Sequence, residues 1–105
     1  MLRIAVLASG GGTDLQSILD ACENGQIDGK VELVISNNEN AYALVRAREF
    51  GAKAVFIDHR GKTREEHERE LVHELIMHQI DLIVLAGYLR MLTPYFINKY
   101  KNKII

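Results

Sequence analysis

The feature that most constrains this chain is a short apolar run that ends in three consecutive glycines. Residues 3–8 read Arg-Ile-Ala-Val-Leu-Ala and lead straight into Ser9, Gly10, Gly11 and Gly12. An unbroken apolar run of this length suits a strand buried on both faces, and such strands belong to parallel sheets covered by helices. Glycines directly after it let backbone N–H groups approach an anion with no Cβ in the way. From Thr13 to about Glu23, the residues Leu15, Ile18, Leu19 and Cys22 recur at i, i+3, i+4 and i+7, which predicts an amphipathic helix. A helix start adds unpaired N–H groups and the positive end of a dipole, so a phosphate is the natural ligand of this turn.

The same alternation continues. Residues 31–36 predict a second strand, and residues 37–40, Asn-Asn-Glu-Asn, a turn and helix cap. Residues 41–50 predict a second helix closed by Gly51, and residues 54–58 a third strand. Thr63 with Glu66 reads as a capping box that opens a third helix over residues 64–79. The first half of that helix is almost wholly charged and is expected in solvent; Leu71, Val72, Leu75 and Ile76 are expected to be buried. Residues 81–86 predict a fourth strand, residues 87–90 a loop, and Thr93-Pro94 a short helix with proline at its first position. Lys103, Ile104 and Ile105 read as the opening of a fifth strand, so the chain reads as one α/β domain, 1–105, cut at that point. The pattern predicts a parallel sheet with helices on both faces, whose ligands gather at the carboxyl ends of the strands. Residues 9–14, 36–40 and 87–92 fall there.

Composition narrows the function classes. Hydrophobic residues make up 48% of the 105 residues and charged residues 26%, which excludes a disordered chain. Thirteen Lys and Arg against 14 Asp and Glu give a net charge of −1, so no electrostatic footprint for nucleic acid exists. The lone cysteine, Cys22, cannot form an internal disulfide, and a reducing cytoplasm is the simplest compartment. No apolar run approaches a membrane span.

Two familiar phosphate templates fail here. The P-loop requires a Gly-Lys pair before Ser or Thr, and the loop has no lysine. The dinucleotide pattern requires a small residue where Leu15 stands and an acid where Ser36 ends the second strand. A phosphate monoester therefore fits better than NAD. Asp14 would repel a phosphate at close range. It is placed to cap its own helix instead, leaving the anion to backbone N–H groups and the Thr13 hydroxyl. The four histidines, His59, His67, His73 and His78, read as surface or helix-end residues, and no metal spacing or nucleophile arrangement is legible.

Three stretches in register complete the picture: Ser-Gly-Gly-Gly-Thr-Asp-Leu-Gln from residue 9, Val-Ile-Ser-Asn from residue 34, and Val-Leu-Ala-Gly-Tyr-Leu-Arg-Met-Leu-Thr-Pro from residue 84. Together they resemble the phosphoribosylglycinamide formyltransferase family, over the first half of that family's usual chain. The resemblance implies a Rossmann-like fold and transfer of a formyl group from 10-formyltetrahydrofolate to an amine in purine biosynthesis. It implies that Gly12, Thr13 and Asp14 hold the phosphate of a small phosphoribosyl substrate. It implies that Arg64, Leu89, Arg90, Met91 and Leu92 contribute to a folate pocket, with Leu85 and Phe96 as apolar walls. Asp14 stands where the family commonly has Asn.

The family's catalytic Asn-x-His-Pro-Ser motif is expected immediately after Ile105, and a later aspartate beyond it. No catalytic residue is therefore expected within this chain, and the chain alone is expected to be inactive. No metal, nucleic acid or membrane partner is implied; a homodimer is one way to cover the edge of a fifth strand. The alternative to the enzyme reading is a non-catalytic module that binds phosphate or a phosphosugar.

Overall fold

The computed structural model describes residues 1–105. Four strands, β1 (Leu2–Leu7), β2 (Gly29–Ser36), β3 (Lys53–Phe56) and β4 (Leu82–Leu85), form one all-parallel sheet in the order β3-β2-β1-β4. Four helices connect or follow them: α1 (Thr13–Glu23), α2 (Tyr42–Phe50), α3 (Arg64–Met77) and α4 (Pro94–Lys99). The architecture is the expected Rossmann-like one. No helix is long and apolar enough to cross a membrane.

The strand pleat splits β1 between two cores. Ile4, Val6 and Ala8 pack with Leu15 and Leu19 of α1 and Ala43 and Ala47 of α2. Ala5 and Leu7 face the other way, toward Leu71 and Leu75 of α3 and Phe96 of α4. A run with no polar residue is what this position demands, because side chains on both faces leave solvent. The β1–β2 register shifts by one between Ile4 and Ala5, so Glu32 has no partner across the ladder. Glu32 instead meets the Arg3 guanidinium at 3.5 Å.

Residues 103–105 lie beside β4. The Ile83 N–H donates to Lys103 O at 2.7 Å, and the Leu85 N–H to Ile105 O at 2.8 Å. Only the Ile83–Ile104 bridge forms, so the expected fifth strand is present as a single parallel bridge.

Four expectations are corrected by packing. The charged half of α3 is not all in solvent: His67 and Glu68 are each only 2% exposed. Glu68 turns inward because its carboxylate accepts from the Thr93 N–H at 2.7 Å and from the Thr93 hydroxyl, which ties α3 to the start of α4. His67 turns inward because both ring nitrogens find partners, Asp58 O at 3.2 Å and the Tyr88 hydroxyl at 2.7 Å. Ile76, expected in the core, is exposed: the stripe toward the sheet is already filled by Leu71, Val72 and Leu75. Helix capping also differs. Asp14 does not cap α1, whose N-cap is Gly12, and the asparagines of residues 37–40 do not cap α2, whose N-cap is Ala41. Asn38 accepts from the Asn40 N–H at 3.1 Å and closes the turn locally instead. The Thr63–Glu66 capping box and Pro94 at the opening of α4 form as expected.

Gly12 is the one loop glycine that both backbone and packing require. Its φ is +81°, and a Cβ there would lie 2.9 Å from the Ala43 Cα. The starts of α1 and α2 are thereby packed backbone to backbone, with the Ala43 N–H donating to Gly10 O at 3.2 Å. A Cβ at Gly10 would meet nothing within 4 Å. Gly12→Ala is expected to cost more than about 1 kcal/mol, from the left-handed backbone and the clash together. Gly10→Ala should stay within roughly 0.5 kcal/mol, as for an unencumbered surface change. Urea unfolding midpoints of the two variants check this.

Burial pushes the Tyr88 phenol up to about 12. The unfolded chain therefore ionises this group first, and its contribution to stability, whole below pH ~10, is lost as pH rises from there toward 12. Burial also raises the Tyr100 phenol. Ultraviolet titration should show a delayed phenolate component, and Tyr88→Phe should remove its latest part and leave that of Tyr100.

Candidate functional site

The loops after β1, β2 and β4 converge at the carboxyl end of the sheet, and one side chain ties all three. Ser9, where β1 gives way to the glycines, donates its hydroxyl to Asn37 Oδ1 at 2.7 Å. The same oxygen accepts the Leu89 N–H at 2.9 Å. Asn37 in turn lies 3.4 Å from His59 Nδ1, in the loop after β3. Ser9 has donor and acceptor used at once, which fixes how far apart the loops stand.

The glycine loop forms one half of the site. Residues 10–14 with Ala86 and Gly87 border an open depression of about 200 Å³. Gly12 is buried, whereas Thr13 and Asp14 are exposed at its rim. No side chain caps α1, so its first N–H groups are free for a ligand. The loop is braced from behind by Arg46 of α2. Its Nε donates to Gly11 O at 2.9 Å and its Nη1 to Gln16 Oε1 at 3.1 Å. The guanidinium also sits 5.0 Å above the Tyr42 ring. Sequence reasoning missed Arg46, because an arginine on an amphipathic helix carries no signal of the loop it will meet.

The loop after β4 forms the other half. Arg64, Arg90, Met91 and Leu92 come together around a tight crevice with His67, Glu68 and Tyr88. Leu89 faces the other way. With Arg90 it borders a polar cleft of about 710 Å³, whose other lining includes Ser9, Asn37, Asn40 and His59. Arg64 and Arg90 form no ion pair, while Arg60 is held by Asp58 at 3.1 Å. The hydrogen bonds from Arg60 pull the Asp58 carboxyl down to about 2. Two arginines without an ion pair therefore border the crevice, which is too narrow to admit a ligand itself. Of the two expected apolar walls, Leu85 is partly exposed on the sheet edge and Phe96 is fully buried in the core. No group of three His, Cys, Asp or Glu side chains is arranged to hold a metal ion.

His67 corrects the expectation that all four histidines are surface or helix-end residues. It sits beneath the crevice, and burial pushes its imidazole below the usual histidine value. Glu68, the buried acid beside it, holds the far end of the same loop through Thr93. Their positions in a charged run hid both: a helical wheel shows only which residues share a face, and here a second helix and a loop cover part of the polar face.

Residues 2–105 match the formyl transferase family. The chain is 42% identical to a phosphoribosylglycinamide formyltransferase of Escherichia coli, over 99% of this chain and 50% of that protein. It is 44% identical to the Haemophilus influenzae protein of the same name, over 100% of this chain and 50% of that one. A formyltetrahydrofolate deformylase of Escherichia coli is 33% identical over 98% of this chain and 36% of its own length. Among solved structures, glycinamide ribonucleotide transformylase 1 from Symbiobacterium toebii superposes with a TM-score of 0.94 at 41% identity, covering 99% of this chain and 50% of that one. The chain spans about half the length of the phosphoribosylglycinamide formyltransferases it matches. On its sequence, its sheet order and its loops, this chain belongs to the formyl transferase family.

Proposed function

We propose that this chain supplies the substrate phosphate loop and one wall of the folate pocket of a phosphoribosylglycinamide formyltransferase. The overall reaction moves a formyl group from 10-formyltetrahydrofolate to the amine of phosphoribosylglycinamide. Gly12, Thr13 and Asp14 take the phosphate, chiefly through the uncapped N–H groups of α1. Arg64 and Arg90 take the carboxylates of the folate tail, and Leu89, Met91 and Leu92 line the path to them. The observation that carries the reading is the pairing of an open glycine loop with two unpaired arginines across one strand end. Either half alone would fit many α/β proteins.

Formyl transfer passes through a tetrahedral, charged intermediate, which requires an oxyanion stabiliser and a proton carrier. Within residues 1–105 the one buried histidine, His67, already has both ring nitrogens engaged by Asp58 and Tyr88. On this reading the binding parts lie within residues 1–105 and the groups for chemistry lie outside them. The chain alone is thus a binding half without turnover, and the 10-formyltetrahydrofolate cosubstrate requires no metal. The single, half-buried thiol of Cys22 agrees with a reducing, cytoplasmic setting. The outer edge of residues 103–105 is where a further strand or a second copy of the chain would add.

The test uses the 105-residue chain, first shown to be folded by circular dichroism. Incubated with phosphoribosylglycinamide and 10-formyltetrahydrofolate, it should produce no formylated product. Titrated with ribose 5-phosphate, it should bind in the millimolar range. Turnover by the chain alone refutes the division of labour, and a folded chain blind to ribose 5-phosphate refutes the phosphate loop.

Asp14 sharpens the same test. A carboxylate about 4 Å from a phosphate costs about 1 kcal/mol in water-like surroundings. Asp14→Asn is therefore expected to tighten ribose 5-phosphate binding roughly fivefold. The gain should shrink as salt is added, because exposed charges are screened. Calorimetric titration at two salt concentrations measures both effects.

A further inference from the structure

The loop that bears Arg90 has little packing of its own. It begins at Gly87, with φ +72°, and Leu89 and Met91 on it are 84% and 72% exposed. Its fixed points are polar. Leu89 is held through its N–H by Ser9, and Thr93 is held by Glu68. Two side chains of the loop turn inward onto the core, Leu92 and Tyr88, and the Tyr88 hydroxyl lies 2.7 Å from His67 Nε2. His67 is 2% exposed, lies at the buried side of the crevice and does not border the glycine loop.

For the neutral imidazole the hydrogen-bond partners fix the tautomer. His67 Nδ1 lies 3.2 Å from Asp58 O, and a carbonyl only accepts, so Nδ1 carries the proton. Nε2 then has a lone pair, and Tyr88 donates its O–H to it. The neutral ring thus bridges the loop after β3 to the loop after β4.

We propose that His67 is a positioning residue for the folate cosubstrate: through the Tyr88 hydroxyl it holds the Arg90 loop in its binding shape. The proposal rests on the reading of that loop as a folate wall. Protonation reverses the arrangement. Nε2 becomes a donor, Tyr88 must turn its own proton elsewhere, and a second positive charge arises beside Arg90. The groups facing His67 are Arg64, Glu68 and Glu70 on α3, Asp58 and His59 (ring centroid at 6.3 Å) from the loop after β3, and Tyr88 and Arg90 after β4. Burial opposes the charged form most strongly, with Arg90 and His59 adding to it; the bond to Asp58 O and, less, Glu70 favour it, and the net effect holds the imidazole below its usual value. Folate affinity is therefore expected to hold above pH ~6.5 and to fall as His67 gains its proton below it.

The experiment uses the whole protein that contains this chain, with 5-formyltetrahydrofolate as a non-reactive probe and ribose 5-phosphate as the control ligand. His67→Phe and Tyr88→Phe should each weaken the folate probe roughly three- to tenfold, the worth of one buried hydrogen bond. Ribose 5-phosphate binding should not change. His67→Gln keeps an acceptor for Tyr88 and cannot titrate, so it should retain most of the affinity and lose the acid-side fall. Folate affinity unchanged in both Phe variants, equal weakening of both ligands, or an acid limb that survives in His67→Gln would overturn the proposal. Nitrogen NMR of the His67 ring and of the Leu89 and Arg90 amides separates the two ideas. Amides that loosen in Tyr88→Phe, together with a wild-type protein that binds no folate, would sink the folate reading and the proposed role with it. The His67–Tyr88 tie would then remain as a loop clamp alone.

Discussion

Everything at the functional end of this molecule depends on β1 having no solvent-facing side. Ile4 through Ala8 are at most 1% exposed, paired to β2 on one edge and β4 on the other and covered by helices on both faces. From Ile4 onward a strand so placed accepts no polar side chain, and Arg3 sits at its half-buried entrance. Ser9 is the first position after this buried run at which one fits, and it is used at once, tying three loops with one hydroxyl. The glycines follow because the chain must then turn, within a few residues, into a helix whose start presses on α2. Central strand, loop junction and glycine loop are one continuous consequence of that burial.

The two halves of the site are held by different physics. The glycine loop is defined by backbone: a left-handed Gly12, an uncapped helix start and a close approach to Ala43. Arg46 adds a brace from behind through Gly11 O and Gln16. The opposite wall is defined by side chains. Its residues are exposed and held from beneath by buried polar groups, Glu68 on Thr93 and His67 on Tyr88. Buried polar groups with every bond made keep a loop in one shape, since any alternative strands a donor or acceptor. That division suits a site that grips a small anion rigidly and accommodates a longer cosubstrate on the other side.

Most of the fold was legible before any coordinates, because its signals are local. The strand runs, the i, i+3, i+4, i+7 stripe of α1, the Thr63–Glu66 box and Pro94 each depend on residues a few positions apart, and each appears where expected. The errors have a common cause as well. Asp14 and the asparagines of residues 37–40 are good caps in isolation, yet Asp14 falls inside the first turn of α1, behind the N-cap Gly12, and Asn38 closes its own turn ahead of α2. Ile76 is apolar, yet three neighbours already fill the face that meets the sheet. The run Arg-Glu-Glu-His-Glu-Arg-Glu looks uniformly solvated until a loop from twenty residues further along the chain folds over two of its members.

The sequence by itself determined the sheet, the helices on its two faces, the glycine loop and its family, because periodicity, turn residues and short motifs are read from neighbours in the chain. Tertiary structure alone decided which polar side chains become internal supports. Ser9, Arg46, His67 and Glu68 acquire their roles from partners between 25 and 80 residues away in most cases, as with Thr93 on Glu68 and Leu89 on Ser9. Whether such a side chain faces water or a buried acceptor depends on which loop arrives to cover it, and no local pattern records that arrival.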